Sequence, residues 1–162
     1  MMVAWLDRAD RAVGAAVAAG RWLALPVSVL LFAQWPLRDL VHAYSTDAND
    51  LAQWLFALYV SLALTYATRM RSHLAADVLA RRYPASAREC LARLGAILCI
   101  APWALFILVV GTSEVWQSLR GLEHFPETLS PGYFLVKVSA WLLALLALAQ
   151  ALIDALRPRR ER

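Results

Sequence analysis

The residues of this chain that could do chemistry fall into three sets. The first is the run Arg69-Met-Arg-Ser-His-Leu-Ala-Ala-Asp77. His73 and Asp77 are four apart, so on a helix they share a face and can hydrogen-bond, with Arg69 a further four residues back. One histidine and one aspartate do not make a metal site, and the same spacing equally serves a basic anchor that carries an incidental ion pair. The second set is Lys137, the single lysine, within an apolar run, with Glu114 as its candidate counter-ion. A cation inside a membrane marks a functional site by default, yet a lysine also snorkels to nearby headgroups. The third set is a pair of small-residue faces, Gln53, Ala57, Ser61 and Thr65 in one apolar run and Ala147, Ala151 and Ala155 in another. Such faces let a second helix approach closely and hydrogen-bond. That helix can belong to this chain or to another protein.

Reactive constellations are missing. The sequence has no paired carboxylates inside an apolar run, no nucleophile motif and no glycine-rich phosphate loop. None of the twelve acidic residues sits at the middle of an apolar run, where a small proton-coupled exporter needs one. No apolar run carries facing histidine pairs to hold haem. Neither an enzyme nor a bound cofactor or metal is expected. The chain is basic, with a net charge of +4, but no basic stripe lies on a soluble face, so nucleic acid is not an expected partner.

The elements that position these residues follow from composition. The chain is 61% hydrophobic and 17% charged over 162 residues, more apolar than a soluble domain. A membrane span needs about 20 apolar residues, and four runs qualify, at about residues 22–41, 51–68, 94–116 and 132–156. The expected fold is an all-α membrane protein with four transmembrane helices in a single domain, 1–162. Thirteen of the sixteen basic residues fall in three intervals, at Arg8–Arg21, Arg69–Arg93 and Arg157–Arg162. The positive-inside rule puts these intervals, and with them both termini, in the cytoplasm. No secretory cleavage pattern follows the first apolar run, which reads as an uncleaved anchor.

Short amphipathic helices on the inner surface are expected before span one, from Trp5, Leu6, Ala9, Val13, Ala16 and Val17, and between spans two and three, from Leu74, Val78 and Arg81. Pro26 and Pro36 predict a kink in span one, and Gln34 within it reads as a helix–helix hydrogen-bonding group. Ser86-Ala-Arg-Glu89 has the pattern of a capping box. Cys90 and Cys99 point to opposite helix faces and cannot pair, and Cys99 reads as a small core residue.

Four spans with both ends inside, a chain of this length, and a second span ending in Arg-x-x-x-His-x-x-x-Asp together resemble the small membrane subunit of tripartite ATP-independent periplasmic (TRAP) transporters, the DctQ-like family. Arg69 or Arg71, Ser72, His73, Asp77, Pro84 and Arg88 carry the residue-level likeness. Ser130-Pro-Gly-Tyr133 and Lys137 depart from it. The resemblance implies a small permease in the bacterial inner membrane. It would scaffold a large multi-span permease that holds the substrate and sodium sites, while a periplasmic binding protein delivers an organic acid or related solute. Arg69, Arg71, His73 and Asp77 would mark the inner boundary. The competing reading is a stand-alone four-span transporter or channel acting as a homo-oligomer, with Lys137 as its ion-handling group.

Overall fold

The computed structural model describes residues 2–40, 45–69 and 83–156. Helices α1 (Met2–Gly20) and α2 (Ala24–Leu40) are joined by a 3₁₀ turn at Arg21–Leu23; α3 is Thr46–Arg69. Helix α4 (Ala85–Gly95) passes through a π-helical turn at Ala96–Ile100 into α5 (Ala101–Arg120), and α6 is Tyr133–Leu156. No strand occurs among the described residues; a lone antiparallel bridge joins His124 to Pro131. Among the described residues four helical stretches are long and apolar enough to cross a membrane: Trp5–Pro36, Thr46–Arg69, Ser86–Arg120 and Tyr133–Leu156.

Helix α6 is the hub, because both α3 and α5 pack along it. Small residues permit this. Ala144 and Ala104 are fully buried, and Ala52, Ala151 and Ser139 nearly so. In lipid the apolar effect does not favour helix over hydrocarbon, so close backbone approach and interhelical hydrogen bonds carry the association. The large apolar side chains point outward instead, as Trp22, Leu25, Val29 and Phe32 do along span one and Phe106 and Val109 along α5.

Span one starts earlier than its charge pattern predicts. The amphipathic segment before it is helical and runs through the 3₁₀ turn into α2 without a break, rather than standing as a separate surface helix. It also packs its apolar side onto α3 and α6, where Val13 and Val17 join Leu62 and Leu146 in a buried cluster. Helix α1 approaches α3 closely at Gly20, where an added Cβ would lie 2.6 Å from Leu62 Cβ. The 3₁₀ turn sits just before Pro26, which has no N–H to give to Trp22 and so weakens the α-pattern there. The second expected surface helix, with Leu74, Val78 and Arg81, lies outside the described residues, as does Ser72.

Pro102 has a parallel effect on span three. Its ring clashes with the carbonyl four residues back and its nitrogen cannot donate. The helix widens there, and Ala101 N–H bonds to Ala96 O, five residues earlier. The widened turn keeps buried Ala96, half-buried Ala101 and buried Ala104 on the bundle side. Two expectations fail nearby. Cys99 is exposed rather than in the core, because the π-turn directs it away from α6. The cap of α4 is Pro84, whose carbonyl receives Ala87 N–H and Arg88 N–H, and Ser86 lies within the first turn without a capping bond.

Candidate functional site

The polar groups gather at the two ends of the bundle, with a sparse set of hydroxyls between. At the inner end, the last turn of α3 presents Arg69. Its Nη1 lies 2.6 Å from Asp10 Oδ1, 3.2 Å from the Asp10 carbonyl and 3.3 Å from Gln150 Oε1. Gln150 in turn donates from Nε2 to Asp154 Oδ1 at 3.2 Å. One guanidinium thus ties α1 to α3 and α6. About a fifth of each ionic side chain is exposed, 23% for Arg69 and 19% for Asp10, while Gln150 is buried. The pair sits between a solvated surface ion pair, worth about 0–1 kcal/mol, and a desolvated one whose disruption costs about 3–5 kcal/mol.

In the middle, Ser61 and Thr65 of α3 are buried. Ser61 Oγ lies 2.8 Å from Ala57 O on its own helix and 2.7 Å from Ser139 O on α6, so its single hydroxyl hydrogen is shared between two carbonyls. Thr65 Oγ1 donates to Ser61 O at 2.9 Å, and Ser139 Oγ to Leu135 O at 2.8 Å. Between α6 and α5, Trp141 Nε1 donates to Thr112 Oγ1 at 3.0 Å. These hydroxyls serve backbone carbonyls and helix contacts and leave no file of free polar groups along the membrane normal among the described residues. Gln34 Nε2 is buried in span one without an acceptor, and no acceptor among the described residues accounts for it.

At the outer end, residues 121–132 fold back as a structured loop. Glu123 N–H reaches Ser118 O, and Glu123 O accepts from both Gly132 N–H and Tyr133 N–H. Leu122 and Leu129 take positive φ, and Gly132 has φ +145, which a side chain there would strain. Phe125 is buried and meets the Tyr133 ring edge-on, with centroids 5.5 Å apart. Two acidic residues of α3 clamp the loop, Asp50 accepting from Thr128 Oγ1 and Asp47 from Ser130 Oγ at 2.7 Å.

Lys137 lies one turn into α6, and its partner is not Glu114. Its Nζ is 2.6 Å from Glu123 Oε2, which also accepts from Ser118 Oγ. The loop backbone causes the exchange. By pinning Glu123 to the first residues of α6 it brings that carboxylate over Lys137, while Glu114 stays exposed on α5. The Lys137 ammonium, and after it the Ser118 hydroxyl, hold the Glu123 carboxyl below the usual carboxylate range.

The remaining expected site residues divide as follows. Ala151 is buried and Ala57, Ala147 and Ala155 are half-buried. Gln53 is exposed, and Ala52 occupies the contact side of α3 in its place. Arg71, His73 and Asp77 lie outside the described residues, as does His42. Asp10, Gln150, Asp50, Thr128 and Glu123 carry contacts that spacing did not single out. Gln150 alone left a signal, lying three residues after Ala147 and next to Ala151 on the small-residue face. No group of three metal-ligating side chains occurs among the described residues.

Comparison with curated proteins and with solved structures finds no match. The family model described as "Tripartite ATP-independent periplasmic transporters, DctQ component" matches residues 27–160, which takes in most of α2 and all of α3 to α6 but not α1. The DctQ component is part of a transporter and not an enzyme. The chain therefore belongs to the DctQ family, the small permease component of TRAP transporters.

Proposed function

We propose that this subunit is a fixed scaffold for a large, sodium-coupled permease that carries the substrate and ion sites, and that a periplasmic binding protein delivers an organic acid or related solute to the outer face. Family membership supports the tripartite assembly. The charge distribution supports an inner-membrane orientation with both termini cytoplasmic and the polar side of α1 at the inner surface. Arg69, with Arg71, His73 and Asp77, then sets depth at the inner boundary. Ser61, Thr65 and Ala151 pack the subunit internally, and the outward Gln53 and the apolar side chains of span one remain for lipid or the permease.

The observation that carries the scaffold reading is the placement of polar groups. The described charges of α3, α5 and α6 lie toward the helix ends, Arg69 and Lys137 each have a carboxylate partner, and the buried hydroxyls between serve backbone carbonyls. Among the described residues no charged side chain lies midway along α3, α5 or α6 to escort a charged solute. The test is co-expression with its large permease and extraction in mild detergent. A tag on this chain is expected to recover the permease in fixed stoichiometry, and failure to recover it overturns the proposal. Solute uptake by the isolated chain in liposomes, abolished by Lys137→Ala, would instead favour the stand-alone transporter.

A further inference from the structure

A groove of about 490 Å³ runs between α1 and α3 on the outside of the bundle. Its floor is small and apolar, from Val17, Ala18, Leu62 and Ala63, with Tyr59 and Tyr66 on the α3 side and Arg21 and Arg69 as its two cations. Among the described residues Arg69 is bound on one side. Its three hydrogen bonds to them leave from Nη1, whereas Nη2 turns to the groove, where a Cβ added at Gly14 would lie 3.3 Å from it. Arg21 is exposed, and its guanidinium rests over the Trp22 ring at 5.8 Å. Among the described residues no carboxylate lines the groove, Asp10 meeting Arg69 from its other side.

We infer that this groove binds one anionic phospholipid. The phosphate sits against Arg69 Nη2 and Arg21, and an acyl chain lies over Ala18 and Ala63. Charge complementarity favours this occupant. Arg69 already has Asp10, so a helix of a partner protein would have to bring an acid into the membrane to match Arg21, whereas a lipid presents its phosphate next to an apolar tail. Basic pockets between membrane helices on the cytoplasmic side select anionic headgroups, and the half-exposed Tyr66 stands at the headgroup level where amphipathic rings partition. The leaflet is the inner one in the orientation proposed above; the binding itself is independent of the scaffold reading.

Native mass spectrometry of the full chain, released from mild detergent after exchange with phosphatidylglycerol or phosphatidylcholine, tests the inference. One phosphatidylglycerol is expected to remain bound, in preference to phosphatidylcholine. Arg21→Gln is expected to weaken retention about fivefold, the factor for one basic side chain at an anionic surface. Ala18→Leu fills the floor at an exposed position that the fold tolerates, and is expected to lower retention of both lipids. Equal retention of the two lipids, unchanged retention in both variants, displacement by inorganic phosphate alone, or loss of the adduct whenever the large permease co-purifies would each overturn it. Because co-recovery of the permease is a separate readout, failure here leaves the scaffold reading standing.

Discussion

Arg69 offers the most direct measure of what holds α1 on the bundle. Arg69→Met removes the charge but keeps much of the apolar stem. It leaves Asp10 with its carboxylate mostly out of water and takes a donor from the buried Oε1 of Gln150. An unsatisfied buried acceptor costs about 1–3 kcal/mol. With the ionic side chains only 23% and 19% exposed, the pair falls midway between the exposed and buried limits, at about 1–2 kcal/mol. The expected loss for Arg69→Met is thus about 2–5 kcal/mol, and for Asp10→Asn, which can still accept a hydrogen bond, about 1–2 kcal/mol. Asp10 makes further contacts, so the single variants overstate the pair, and a double-mutant cycle isolates it. Reversible unfolding of the recombinant chain in mixed micelles, followed by the fluorescence of its seven tryptophans, gives the four free energies. The double variant is expected to lose less than the sum by about 1–2 kcal/mol, with little dependence on salt because the pair is largely shielded. Additivity within about 0.5 kcal/mol would refute the reasoning.

Gly20→Ala places a methyl against Leu62 and is expected to destabilise the chain by about 1–3 kcal/mol in the same unfolding assay, with part of the loss recovered in combination with Leu62→Ala. Ser61→Ala removes one interhelical hydrogen bond and is expected to cost about 0.6 kcal/mol, whereas Ser61→Leu, overpacking the contact with α6, costs about 1–3 kcal/mol; equal effects would contradict the close approach described there. The ion pair at the outer end has a pH signature. The Glu123 carboxyl is depressed in the folded protein, so its contribution is fully present above its unfolded value of about 4.3 and is lost as pH falls through the lower folded value. Stability is therefore expected to be unaffected by this group between about pH 5 and 7 and to fall in stronger acid, with a smaller acid loss in Glu123→Gln.

The four apolar helices and the end-weighted charges were legible because hydropathy and charge are summed along the chain and need no tertiary knowledge. The contacts were less so. Lys137 was matched to Glu114 by depth, but its partner comes from a loop whose two positive-φ leucines carry no sequence signature of a turn. The small face on α3 was offset: periodicity alone placed Gln53 with Ser61, while packing against α6 selects Ala52. Asp10 looked like part of the wet side of an amphipathic helix until α1 proved continuous with span one and close to Arg69. Ser61 and Thr65 could be placed because small hydroxyl residues inside an apolar run have few alternatives to helix contact.

The π-turn at Ala96–Ile100 gives span three an unusual response to changes in chain length. It accommodates one residue more than an α-turn, and each residue of an α-helix advances the azimuth by about 100°. Deleting a single residue there would let the backbone close into ordinary α-helix with little change in length. It would also leave everything from Tyr83 to Gly95 close to its present azimuth, because five residues of the π-turn and four of an α-turn close nearly the same angle, so Cys90 and Arg93 would keep their side of the molecule. A deletion elsewhere in a span rotates all that follows by about 100°, whereas at this point one residue can be lost without turning the inner segment. Related chains one residue shorter here would share both the bundle and its inner surface.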